Sequence, residues 1–176
     1  HAKELADNIS VLYVSLDGPG EVHSAIRNHK GLHENIERGL AALPKNGLEK
    51  TALCTISKAN IDLLQETALY AASIGFNKII FQNLIFMLPD EAKSYDAWLR
   101  ESLKIEKSNS SSWTYNGIPD FSSKLPAAMA EIEKRVEEGG FPLRVEFHPL
   151  GIKSSNVLNR MEGRLALPNS PKHCLA

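Results

Sequence analysis

The chain alternates between short, nearly continuous apolar runs and longer segments in which apolar residues recur every three or four positions. The runs at 9–16, 50–57 and 78–86 have the length and the β-branched content of strands buried on both faces. Between them, 32–43 and 61–73 place their large aliphatic and alanine side chains along one side of a helix. The predicted order β-α-β-α-β is typical of a parallel sheet with amphipathic, right-handed crossover helices.

After residue 89 the pattern is less regular. Two helical segments are separated by a Ser-rich connection and followed by an alternating edge strand and an aperiodic tail. In chain order these segments are 90–107, 108–112, 125–138, 143–147 and 151–176. We therefore expect a sheet region at 1–107 and a looser extension at 108–176.

The composition and net charge of the chain argue against nucleic-acid and membrane partners. The 43% hydrophobic content supports a folded core, and the formal net charge of -1 gives no electrostatic footprint for nucleic acid or an anionic membrane. No apolar run approaches the roughly 20 residues of a membrane helix. The two cysteines, Cys54 and Cys174, are too far apart to suggest a disulfide framework. These features predict a cytoplasmic protein with neither nucleic-acid nor membrane partners.

Polar side chains that could bind a ligand stand at the end of the first apolar run. Ser15 and Asp17 stand at its carboxyl end, 18–20 (GPG) forms a turn, and Arg27 follows within about three helical turns. Ligands of parallel α/β sheets bind at this edge, so a hydroxyl, a carboxylate and a guanidinium there predict a binding site. Helix capping is the alternative for Asp17, and a solvated helix end is the alternative for Arg27.

The second and third strands also carry polar residues in or after their apolar runs. Thr55 and Ser57 close the second strand, whereas Gln82 and Asn83 lie within the third. Each needs a partner if it is buried, and some of them should face a ligand at the carboxyl edge. Asn60 is a plausible N-cap for the helix that follows.

The histidines and Cys54 receive structural interpretations. We expect His23 to make a structural hydrogen bond. His29 and His33 have the i, i+4 spacing of a helical metal site, but the break at 30–31 favours surface histidines. Cys54, inside a strand, is expected to be a small buried hydrophobe.

The segment 14–31 (VSLDGPGEVHSAIRNHKG) resembles the fourth strand and helix of radical S-adenosylmethionine enzymes, in the members that carry a SPASM or Twitch auxiliary-cluster domain. The segment 54–57 with Asn60 is similar to the family's fifth strand, and 80–84 to its sixth. The resemblance covers about 9–88. It implies an α/β fold that is the second half of a partial (βα)6 TIM-like barrel.

The resemblance also implies a cofactor and a chemistry. The family holds S-adenosylmethionine on a [4Fe–4S] cluster and cleaves it to a 5′-deoxyadenosyl radical, which abstracts hydrogen from a peptide or a small metabolite. Residues at the strand ends are expected to bind S-adenosylmethionine. They are Ser15, Asp17, Arg27, Thr55, Ser57, Gln82 and Asn83.

Two family motifs are absent from the sequence. Neither the cluster-binding CxxxCxxC loop nor the Gly-Gly-Glu motif occurs, whereas 170–174 (SPKHC) resembles the approach to the auxiliary-cluster domain, with Cys174 as a candidate cluster ligand. We therefore expect a fragment of such an enzyme, inactive alone, with an unpaired strand edge at 9–16 that promotes association.

Two alternatives stay open. The chain could be a noncatalytic α/β scaffold or binding domain, since fold does not determine function. It could also be another barrel enzyme with a phosphate site at 18–20, although Pro19 removes one N–H donor from that turn.

Overall fold

The computed structural model describes residues 2–44, 47–84, 86–149 and 151–162. Its centre is one four-stranded, all-parallel sheet with the strand order β1-β2-β3-β4. The strands are β1 (Val11–Ser15), β2 (Glu49–Ile56), β3 (Lys78–Asn83) and β4 (Arg144–His148). The predicted parallel α/β architecture is confirmed. In the described residues β1 and β4 do not pair, so the sheet is open and is not a closed barrel.

Helices occupy the connections between the strands. The α-helices are α1 (Ala2–Asn8), α2 (Glu21–Ile26), α3 (Leu32–Ala41), α4 (Leu64–Ser73), α5 (Pro89–Leu103), α6 (Leu125–Glu137) and α7 (Val157–Met161). Short 3-10 turns cover Ile61–Leu63, Ser110–Trp113 and Asp120–Lys124. In the part of the chain that the structure describes, no helix has the length and apolar character needed to cross a membrane.

The main core lies on one face of the sheet. Each strand pairs with the next one in sequence, and right-handed crossovers then bring the connecting helices to the same side. Ala52, Ile79 and Val145 share this face by register and pack with Leu40 of α3 and Met129 of α6. All strand residues of the core cluster belong to this face, which explains the apolar periodicity of the helices.

We call the other side of the sheet the open face. It carries the alternate positions of every strand. The residues are Val11, Tyr13, Ser15, Glu49, Thr51, Leu53, Thr55, Lys78, Ile80, Gln82, Arg144, Glu146 and His148. Ile80 is 5% exposed but lies outside the main core cluster. The open face is therefore where ligand-binding side chains of this sheet can stand.

Several predicted bounds needed correction. The third strand ends at Asn83 and does not continue to residue 86, and the helix expected at 90–107 ends at Leu103 because Lys104 takes a left-handed conformation with φ 57°. The expected edge strand at 143–147 is β4, which pairs in parallel with β3 and adds a fourth strand to the sheet.

The two edges of the sheet differ in character. β1 has the uncharged sequence VLYVS, and beside it α1 and α3 border an open, mostly apolar groove of about 800 Å³. β4 carries Arg144 and Glu146 and ends in His148 before Pro149. Charges and proline discourage strand addition, so β4 is protected and β1 is not.

Candidate functional site

The turn after β1 is organised around the buried carboxylate of Asp17, which is 3% exposed. Arg27 Nε donates to one of its oxygens at 2.6 Å, and the backbone N–H of Thr55 donates to the other at 3.0 Å. A buried carboxylate needs such donors to offset lost hydration. Asp17 thereby ties the β1 turn to both α2 and β2.

The capping alternative for Asp17 does not hold. The residue at the N-cap position of α2 is Gly20, and no side chain caps this helix. The carboxylate instead makes the two contacts with Arg27 and Thr55. Asp17 therefore acts in tertiary structure, through a partner 38 residues away in the sequence.

His23 has the structural role expected of it. Its Nδ1 accepts a hydrogen bond from the backbone N–H of Asp17 at 3.0 Å. Burial lowers the pKa of His23 and outweighs the opposing attraction of the nearby Asp17 carboxylate. A neutral imidazole with an unprotonated Nδ1 is the form that accepts this bond.

Asn60 joins the same network and is not a helix cap. Its side chain makes no capping hydrogen bond to the turn that follows it. Its Oδ1 accepts from the Ser57 N–H at 2.7 Å, and its Nδ2 donates to the carbonyls of Asp17 and Thr55, each at 2.8 Å. The fully buried amide therefore locks the β1 turn to the end of β2.

Six of the seven residues expected to bind a cofactor divide into two groups. Asp17, Arg27 and Ser57 belong to the internal network, where Ser57 Oγ accepts from the Ala59 N–H at 3.3 Å. Ser15, Thr55 and Gln82 instead stand on the open face, on three successive strands.

Register also adds a residue that sequence reasoning missed. Thr55 pairs with Gln82, and Gln82 pairs with His148 of β4, so the three side chains form one row at the carboxyl ends of the strands. Ser15 pairs with Leu53, two residues before Thr55. The alternating pattern at 143–147 predicted a strand. Only the parallel pairing of this strand with β3 brings His148 to the carboxyl edge of the sheet.

We define the open-face patch as Ser15, Thr55, Gln82 and His148. Within the described chain, none of these four side chains makes a hydrogen bond. Leu53 lies between Ser15 and the third strand, and Ile80 continues this apolar row on β3. An apolar floor with a few free polar groups is the composition of small-molecule sites.

Charged residues lie on the open face towards the amino ends of the strands. Lys78 Nζ lies 2.7 Å from Glu146, and Arg144 Nη2 lies 2.7 Å from Glu49. Arg144 Nε is also 3.6 Å from Glu146. Because these acids and bases pair with one another, the charges balance next to the patch.

Asn83 is separated from the patch by the alternation of the strand. It pairs in register with Ile56 of the core face, so it points away from Gln82. Its Oδ1 and Nδ2 are both buried with no hydrogen-bond partner among the described residues. The structure thus brings Asn83 to the carboxyl end of β3 but not to the open face.

The remaining candidates do not form a metal site in the described residues. His29 is exposed, whereas His33 Nδ1 lies 2.9 Å from Ser24 Oγ, and no cluster of three His, Cys, Asp or Glu side chains in these ranges could hold a metal ion. Burial raises the pKa of the Cys54 thiol, as expected of a small buried hydrophobe. Cys174, the candidate auxiliary-cluster ligand, lies outside the described residues.

The chain was compared with known proteins. No protein-family model matches it, and neither the curated proteins nor the solved structures contain a match.

Proposed function

We propose that this chain forms the S-adenosylmethionine-binding wall of a radical S-adenosylmethionine enzyme core. The observation that carries the proposal is the alignment of Ser15, Thr55 and Gln82, which face one side of three successive parallel strands without side-chain partners in the described chain. The sequence resemblance at 14–31 supports the same assignment. The sequential strand order agrees with the second half of a partial (βα)6 barrel.

The residues of this face fit an adenosyl ligand with an amino-acid tail. The side chains of Leu53 and Ile80 offer an apolar surface, and the hydroxyl and amide groups around them offer donors and acceptors. Arg27 uses Nε for Asp17 and keeps a side chain that is 43% exposed. Its terminal Nη groups would bind the ligand's carboxylate, because Asp17 holds the guanidinium in place.

The described residues do not fit an iron–sulfur cluster, because they contain no group of three closely placed ligands. Because the sequence also lacks the CxxxCxxC motif, we propose that the [4Fe–4S] cluster is held by residues outside this sequence, with Cys174 as a candidate ligand of an auxiliary cluster. S-adenosylmethionine bound at this face would be the source of a 5′-deoxyadenosyl radical, and the electron for its cleavage would come from the cluster held elsewhere. This chain's part is to bind and orient the adenosyl group and to exclude water.

Calorimetric titration with S-adenosylhomocysteine, which needs no cluster chemistry, tests the proposal. Saturable binding is expected. The variants Ser15→Ala and Gln82→Ala should each bind about twofold to tenfold more weakly, as expected for one lost hydrogen bond. Ser112→Ala is the matched control, because Ser112 is exposed and distant in sequence from the strands.

A noncatalytic scaffold is the competing function, and one observation favours it. Both oxygens of the Asp17 carboxylate are already bound by Arg27 and Thr55, so the turn is stable without a ligand. The same titration separates the two functions. A scaffold would show no saturable binding, or binding that is equal in the wild type and in the Ser15 and Gln82 variants.

A further inference from the structure

We infer that His148 is a further ligand-binding residue and contacts the adenine end of the bound adenosyl group. The inference rests on the proposed function and deepens it, because it fixes the direction in which the ligand lies across the sheet. The juxtaposition that carries it is the row Thr55, Gln82 and His148, with Arg27 held at the opposite end.

The direction follows from charge. Arg27 stands at the β1 end of the row because its guanidinium is fixed to Asp17 at 2.6 Å. A carboxylate is the natural partner of the remaining guanidinium N–H groups. The amino-acid tail of the ligand therefore lies at β1, and the rest of the molecule extends across β2 and β3.

The width of the sheet is similar to the length of an extended ligand, so the other end of the ligand lies at β4. Neighbouring parallel strands lie about 4.8 Å apart, so the row from the β1 turn to β4 spans about 14 Å. An adenosyl group attached to an amino-acid chain can cross such a row when extended. His148, at the end of this row, faces the heterocyclic end of the ligand.

The chemistry around His148 suits an uncharged heterocycle. Its side chain is exposed and makes no hydrogen bond with the described residues. Glu146, the nearest acid on the same face of β4, is paired with Lys78 at 2.7 Å. An imidazole can donate to or accept from the adenine edge, whose N7 accepts and whose N6 amino group donates, and it can also stack on the ring.

Fragment titrations followed through the histidine ring resonances test this inference. The probes are S-adenosylhomocysteine, adenosine and methionine, and the spectrum of His148→Gln assigns the His148 signal. We expect S-adenosylhomocysteine and adenosine to shift the His148 ring signals and methionine to leave them unchanged. His148→Ala should weaken binding of adenosine about twofold to tenfold and leave methionine binding unchanged, whereas His148→Gln should recover part of the loss.

His29→Ala is the matched control, because this exposed histidine lies between α2 and α3, away from β4. Unchanged amide spectra of the His148 variants exclude unfolding as the cause of weaker binding.

Three outcomes would contradict the inference. In the first, S-adenosylhomocysteine binds and Ser15→Ala weakens this binding, but the His148 ring signals do not shift and His148→Ala does not change the affinity. The inference is then wrong and the proposed function stands. A shift of His148 by methionine reverses the direction and also overturns the inference. Absence of saturable binding by every probe overturns both.

Discussion

At the scale of single residues, buried polar side chains near the β1 turn join segments that are far apart in the sequence. Asn60 shows why sequence reasoning assigns such roles poorly. Its position before a helical segment predicted a cap, but the amide bonds to Asp17 and Thr55, and these contacts exist only after β1 and β2 have paired. Local sequence gives the capping preference, whereas long-range contacts decide which hydrogen bonds form.

His23 gives a pH-dependent prediction at this scale. Burial lowers its pKa below 6.5 in the folded state, so the unfolded chain binds the proton more readily. The free energy of unfolding should therefore fall as the pH drops below 6.5 towards the folded-state pKa, by at most about 1.4 kcal/mol per pH unit. His23→Gln should show a shallower dependence in urea unfolding between pH 7.5 and 5.5.

The control is Leu40→Ala, which is destabilised by loss of core packing but keeps His23. It should retain the wild-type slope of stability against pH. Equal slopes for His23→Gln and the wild type would show that His23 is not the titrating group.

At the scale of elements, the apolar runs and helical periods predicted the chain order of the strands and the main helices, because a face that is buried in the core recurs with the period of its element. The expected burial of the strands on both faces was wrong for β1, where Val11 and Tyr13 are 38% and 55% exposed. The sequence did not show which of two neighbouring polar residues faces outward. Gln82 and Asn83 are adjacent, and only the pairing of β3 with β2 assigns the first to the open face and the second to the core face. The edge strand was predicted at 143–147 with no neighbouring strand assigned, and this range ends one residue before His148, which is why His148 was missed.

The junction between the β1 turn and β2 gives a prediction at this scale. Asn60→Ala removes the amide that binds the Ser57 N–H and the carbonyls of Asp17 and Thr55. Leaving buried backbone groups unpaired should lower the free energy of unfolding by about 3 kcal/mol, measured by urea denaturation. Asn109→Ala, at an exposed position, should change it by less than about 0.5 kcal/mol. Equal stability of the two variants would contradict the role of Asn60.

At the scale of the whole molecule, the two sheet edges predict how copies of the chain behave in solution. β1 leaves one edge unpaired within the described residues, has no charged side chain, and borders the apolar groove beside α1. Unprotected apolar edges recruit further strands. We therefore expect association of the chain that increases with concentration.

Tyr13→Lys tests this expectation, because Tyr13 is the central residue of β1 and is 55% exposed. A lysine on an edge strand opposes pairing, so sedimentation velocity should show this variant shifted towards monomer. Tyr115→Lys is the matched control, since Tyr115 is an exposed tyrosine outside the sheet, and it should associate as the wild type does. A wild-type chain that stays monomeric over the accessible concentrations would contradict the expected association through the β1 edge.

We propose that the open face binds an adenosyl ligand. Mapping amide chemical-shift changes during titration with S-adenosylhomocysteine tests it most directly, because the alternative cavity of about 800 Å³ lies beside α1 and α3, on the core side of β1. We predict saturable changes at Ser15, Thr55, Gln82 and His148 and none at Leu5 or Leu40 of the groove. Changes confined to the groove, or no saturable change anywhere, would contradict the claim.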